Sequence, residues 1–185
     1  MFGRSVRWAF ILALSLAAAA QAAEGYTRYA NRDWMYVVIL PGKVKLVTSK
    51  PPMPNHGFAV NLSRHAQLWV DAGSTDGETL AETVDEQVRA LGGVGCVELE
   101  RAADRLGGRP AVRLLLRCQA KGEVDLQRMV ITLAAPTGRN NTAYTVGVSY
   151  REHGPKAEAD RAAALLEDAR AGFRFIGEDG SPPLG

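Results

Sequence analysis

The chain is short of the residue types that most often carry chemistry. Its 185 residues include three histidines, His56, His65 and His153, and two cysteines, Cys96 and Cys118. The histidines form neither an HExxH nor an HxH pair, so the familiar zinc spacings are missing. Neither a Walker loop nor GxGxxG is present, which excludes the standard phosphate cradles. Gly92-Gly93-Val94-Gly95 is glycine-rich, but it follows a helical stretch, whereas a cradle precedes one. No GxSxG elbow occurs. Ser63-Arg64-His65 puts a serine two residues from a histidine. A triad needs the base across from the serine and oriented by an acid, so this is turn chemistry. The cysteines are too far apart for a CxxC redox pair. The acids are spread over helix faces and strand exteriors, with no isolated carboxylate pair. The sequence names no catalytic residue, no cofactor and no metal site.

An excess of one charge sign is missing too. The chain has 22 Lys and Arg against 20 Asp and Glu. Two of the bases, Arg4 and Arg7, fall in an N-terminal leader that holds no acid. The remainder is formally neutral, and its mixed signs offer no polybasic footprint for nucleic acid or anionic lipid.

Long hydrophobic runs are also scarce. Trp8 to Ala20 (WAFILALSLAAAA) is uncharged, but it is shorter than the ~20 residues of a spanning helix and ends in alanines. Arg4 and Arg7 precede it, and Ala20-Gln21-Ala22 follows with the small-x-small pattern that signal peptidase reads. These features predict a cleavable signal peptide over residues 1–22, with cleavage after Ala23 nearly as favourable. A retained anchor is the alternative. No cysteine follows the run to take a lipid, and Arg4 and Arg7 are not adjacent as a twin-arginine signal requires. The expected location is periplasmic or secreted, with no membrane attachment after cleavage. An even cysteine count in an exported chain favours one structural disulfide, Cys96 to Cys118; two buried thiols are the alternative. The alanine-rich leader and the Arg/Ala/Gly-rich composition suggest a bacterium, where the sequon matches at Asn61 and Asn140 carry no meaning.

What is present is patterning for one domain over residues 23–176, followed by a Gly/Pro-rich tail at 177–185. Tyr26–Asn31 reads as a strand or loop. Trp34–Leu40 is dense in β-branched and aromatic residues and stops at Pro41-Gly42, a strand and its turn. Lys43–Thr48 alternates as a short edge strand. Gly57–Leu62 and Gln67–Asp71 read as two strands linked by Ser63-Arg64-His65. Thr75 and Glu78 match a capping box, and Leu80, Val84, Val88 and Leu91 make the apolar stripe of a helix. Asp85 and Arg89 are spaced for an ion pair on it. Val97–Ala102 and Pro110–Cys118 pair about Leu106-Gly107-Gly108, which places Cys96 nearly opposite Cys118. Leu126–Ala134 and Ala143–Arg151 form another hairpin. Its second strand puts Tyr144, Val146, Val148 and Tyr150 on one face and Thr145, Gly147, Ser149 and Arg151 on the other. A second helix follows Gly154-Pro155, with Ala162, Leu165, Leu166, Ala169 and Phe173 as its stripe. The lack of βαβ alternation predicts an α+β fold: an antiparallel sheet of about six to seven strands packed with two helices.

This layout resembles the PsbP-like superfamily, which includes the periplasmic DcrB-type proteins. The matching pieces are Val37-Val38-Ile39-Leu40-Pro41, Gly57-Phe58-Ala59-Val60, the Leu80–Leu91 helix, Gly108-Arg109-Pro110-Ala111 and the Ala162–Phe173 helix. The resemblance covers most of the chain after the leader, holds no catalytic motif, and implies an accessory or binding role. Two surfaces are candidates. Pro51, Pro52, Met53 and Pro54, with His56, form a stiff apolar loop that loses little entropy on binding. Trp34, Tyr36 and Trp69 are placed to extend it, or else belong to the core. The expected partner is a protein of the cell envelope. The alternative is a small-ligand or metal-binding protein, or a hydrolase, using a cleft near His56, His65 and Asp71.

Overall fold

The computed structural model describes residues 25–49, 56–120, 122–135 and 141–177. Residues 1–24, which include the expected leader, residues 50–55 with Pro51–Pro54, residue 121, residues 136–140 and residues 178–185 lie outside the described residues.

Among the described residues nine strands and two helices follow in order: β1 Tyr26–Asn31, β2 Tyr36–Pro41, β3 Phe58–Asn61, β4 Gln67–Ser74, α1 Leu80–Gly92, β5 Cys96–Leu106, β6 Arg109–Ala120, β7 Glu123–Ala134, β8 Thr142–Arg151, α2 Lys156–Gly172 and β9 Phe173–Phe175. Every pairing is antiparallel. The fold is α+β, as the patterning implies, but the strands divide into two sheets. Six form a sheet in the order β3-β4-β8-β7-β6-β5, and β1, β2 and β9 form a smaller one. Among the described residues no helix is long and apolar enough to cross a membrane.

Side-chain alternation on the large sheet produces two cores, one on each face. Tyr144, Val146 and Val148 of β8 join Leu68 and Val70 of β4 on the inner face. There they meet Ala162, Leu165, Leu166 and Ala169 of α2 and the small sheet. An aromatic cluster ties the two sheets together. The Tyr36 ring stacks on Phe173 at 5.3 Å between centroids, and Tyr144 meets Phe173 and Phe175 edge-on. On the outer face Leu114, Leu116, Met129 and Ile131 are closed over by Val84, Leu80, Val88 and Leu91 of α1. Each helix covers one part of its face, α2 over β8 and α1 over β5 to β7.

Several local expectations are corrected. Phe173 is not helical. At Gly172 a Cβ would stand 1.9 Å from the carbonyl oxygen of Ile39; only glycine lets α2 pass that close to β2, and the chain then extends to pair Phe173 with Val38. Trp34 precedes β2 in a turn, because Met35 takes a left-handed backbone with φ 54°. Lys43–Thr48 is not a strand. Its contact with the sheet is a single bridge, Val47 to Ala59, with two backbone hydrogen bonds of 2.8 Å. The capping box is Thr79 with Glu82, four residues beyond the expected pair. Thr79 Oγ1 accepts the Glu82 N–H, and the Glu82 carboxylate accepts the Thr79 N–H. Asp85 reaches across to Arg101 of β5 at 2.7 Å rather than along its own helix to Arg89.

The β5–β6 hairpin runs longer than expected and carries a bulge between Glu98 and Glu100. Gly107 and Gly108 both have positive φ, 57° and 83°, as a two-residue primed turn requires. Beyond the turn the bulge shifts the register by one residue, which sets Cys96 opposite Cys118, and the two are bonded. Replacing both by alanine is expected to lower unfolding free energy by about 3 kcal/mol, the entropy of a closed loop this size. Urea denaturation of the oxidised protein and the variant measures this; equal midpoints would show that the bridge contributes nothing.

Candidate functional site

His56, His65 and Asp71 do not come together. His56 lies just before β3. Its carbonyl accepts the Tyr36 hydroxyl at 2.9 Å, and its ring packs on Trp34 with centroids 4.7 Å apart. Asp71 is at the same end of the β3–β4 hairpin, where Phe58 pairs with Val70. His65 sits in the turn at the other end, beyond the Asn61–Gln67 pair. It meets Arg151 instead, with Nη2 3.0 Å from Nδ1. Arg151 also holds Glu123 at 2.8 Å. The length of β3 separates the two histidines, so the three-residue cleft is not formed. Among the described residues no group of three or more His, Cys, Asp and Glu is placed to hold a metal ion. The Ser63 hydroxyl accepts the backbone N–H groups of His65 and Ala66, which commits it to the turn.

The three aromatic residues expected to share one patch are divided. Tyr36 is fully buried and Trp34 packs on the inner core, whereas Trp69 belongs to the outer face. Of the Pro-rich segment, His56 is described and Pro51–Pro54 are not.

The outer face holds a site that the sequence reading missed. Because α1 lies over β5 to β7, the outer faces of β4 and β8 stay open beside it. They floor a groove of about 640 Å³. β4 contributes Gln67, Trp69 and Asp71, and β8 contributes Thr145 and Ser149; Thr83, Glu86 and Gln87 of α1 form the wall. Trp69 pairs with Gly147 across the strands, and its six-membered ring fills the place of the missing side chain. A Cβ on Gly147 would fall 2.4 Å from Trp69 Cζ2. The signal available in the sequence was a glycine inside an otherwise well-formed strand, which marks a close approach. What approached it was not legible, because β4 and β8 are far apart in the chain.

The charged side chains lining the groove, Asp71, Asp76 and Glu86, are all acidic. The Glu86 carboxylate is anchored by the Thr75 hydroxyl, which donates to Oε2 at 3.2 Å. Asp71 is half-buried, and its Oδ1 has no hydrogen-bond partner. Burial pushes its carboxyl above the ordinary Asp range; the Ala72 backbone N–H and His56 act in the other direction. Thr83 is 3% exposed, and its hydroxyl is likewise without a partner. Among the described residues the lining includes no histidine, cysteine, lysine or arginine. The lining supplies carboxylates, hydroxyls and amides, groups that can hold a ligand by charge and hydrogen bonds.

Two substitutions test this description. Gly147→Ala forces Trp69 off the sheet and is expected to cost about 1–3 kcal/mol, with a red shift in tryptophan emission; a variant of unchanged stability and emission would contradict the close packing. For Asp71 the folded pKa lies above the unfolded one, so its charge weakens the fold as pH rises through the folded value. Asp71→Asn should therefore raise the urea midpoint near neutral pH. The gain should vanish below the ordinary Asp value of about 3.9, where both states are protonated. A neutral-pH loss would mean that the carboxylate is stabilised in the fold.

Comparison with solved structures agrees with the architecture. The Ran-binding protein Mog1p of Saccharomyces cerevisiae matches with a TM-score of 0.55 at 13% identity, over 82% of this chain and 96% of that one. The cyanobacterial PsbP protein, CyanoP, of Synechocystis sp. PCC 6803 matches with a TM-score of 0.54 at 17% identity, over 88% and 98%. LpqN of Mycobacterium tuberculosis, involved in cell envelope biogenesis, matches with a TM-score of 0.55 at 13% identity, over 82% and 91%. At these identities the likeness establishes the fold, which is PsbP-like. No family model matches the sequence, and no curated protein matches it.

Proposed function

We propose that this chain is an exported, non-catalytic binding or accessory protein of the bacterial envelope. The observation that carries the reading is the open, acid-lined groove beside α1, whose carboxylates, hydroxyls and amides are binding groups. The bonded Cys96–Cys118 pair suits an oxidising compartment, as does the leader over residues 1–22. Two proteins of the same fold carry compatible descriptions, one as Ran-binding and one as involved in cell envelope biogenesis. That support is at the level of the fold, and one fold hosts many functions. In this reading residues 23–176 are the working domain and 177–185 a tail. Pro51, Pro52, Met53 and Pro54 make the protein contact. In the sequence they precede His56, which lies before β3.

Two measurements test it. N-terminal sequencing of the protein from the host's periplasmic fraction should begin at Ala23 or Glu24; an intact leader on a cytoplasmic protein would refute export. Chemical crosslinking in the host envelope, followed by mass spectrometry, should recover one dominant partner. Pro52→Ser with Met53→Ser should remove that partner without changing the circular dichroism spectrum. Capture that survives both substitutions would exclude the segment as the contact.

A further inference from the structure

We propose that the groove over Trp69 is a binding site for a small organic cation, with a primary amine or a guanidinium as the recognised group. The inference rests on reading the groove as a binding site and adds the ligand's chemical class.

Three independent features converge on a cation. The first is charge: Asp71, Asp76 and Glu86 line the groove, and among the described residues no basic side chain does. Such a lining repels anions and concentrates cations near the surface. The second is a deficit of donors. Asp71 Oδ1 is buried and accepts nothing, and Thr83, 3% exposed and lining the same groove, has a hydroxyl with no partner. An unmet buried acceptor is unfavourable; an ammonium or guanidinium brings several N–H donors and the opposite charge together. The third is Trp69, which lies against Gly147 in the groove floor. Tryptophan is the best of the aromatic residues at attracting a cation to its ring.

The alternatives fit less well. A bare metal ion needs several carboxylate or imidazole ligands at one point, and no such group is placed among the described residues. A fully apolar ligand would leave the carboxylates desolvated and unpaired. The groove's volume of about 640 Å³ falls within the roughly 300–1,000 Å³ of small-molecule sites. It suits an amino-acid- to polyamine-sized molecule.

Calorimetric titration of the purified protein tests the proposal. The probes are agmatine and spermidine, a blocked arginine dipeptide carrying the same group on a peptide, and glutarate and pentane-1,5-diol as anionic and neutral controls. Saturable binding of agmatine or spermidine is expected, weakened at least tenfold by Asp71→Asn and by Glu86→Gln and reduced by added salt. Both variants are near-isosteric and keep the fold. Asp125→Asn, on β7 and outside the groove lining, should leave affinity unchanged. Tighter binding of the dipeptide than of agmatine would overturn the small-molecule source. No saturable binding at about 10 mM, where a site of 1 mM Kd is mostly filled, would overturn the proposal. So would equal binding of glutarate or the diol, or affinity unchanged in both variants. If cation binding fails while the crosslinked partner persists, this inference falls and the binding-protein reading stands.

Discussion

The indole of Trp69 can lie across the six-stranded sheet only because position 147 has no side chain. That contact decides the outer face. With Trp69 laid over Gly147 and packed toward the α1 core, the rows on either side of it are the polar pairs Gln67–Ser149 and Asp71–Thr145. A β-branched residue at 147 would fit β8 better by local preference. It would also lift the indole and fill the groove. The glycine thus exchanges some strand stability for a recess.

The recess also needs the helices to be where they are. Each helix covers part of one face and leaves the rest. α2 is drawn to the β8 side because the small sheet is already there, held by Tyr36, Tyr144, Phe173 and Phe175 in mutual contact. The Tyr144 hydroxyl reaches the Trp34 carbonyl at 2.8 Å, which links the turn before β2 to the middle of the large sheet. α1 is held toward the other edge, by Val84 in the second core and by the Asp85–Arg101 pair to β5. That ion pair is exposed and worth little by itself; the apolar stripe does most of the work. The offset between the two helices leaves β4 and β8 open on the outside.

Much of this was legible in the sequence where interactions are local. The β5–β6 hairpin could be read because a Gly-Gly turn and two cysteines imply nearly the same register; the bulge between Glu98 and Glu100 that makes up the one-residue difference was not legible. The faces of β8 could be read because Tyr144, Val146, Val148 and Tyr150 alternate cleanly. Other features depend on partners distant in the chain. Nothing near Phe173 says that β2 waits to pair with it. Nothing near Trp69 says that Gly147 will be its neighbour. Thr75 and Thr79 both carry an acid three residues on, so the spacing alone could not choose between two capping boxes. The histidines and Asp71 drew attention because those residue types so often do chemistry, yet the β3–β4 hairpin carries His56 and His65 at opposite ends. The groove was hidden for the opposite reason: its floor reads as an ordinary solvated strand face until α1 is seen to stop short of it.

The central claim is that the open outer face at Trp69 is where this protein binds. Amide and indole chemical-shift mapping with agmatine tests it most directly, because it locates the contact without any substitution. The account predicts that the Trp69 indole N–H and the amides of Asp71, Thr83 and Thr145 shift together and saturably. Shifts confined to the inner face or to the β5 edge would contradict it.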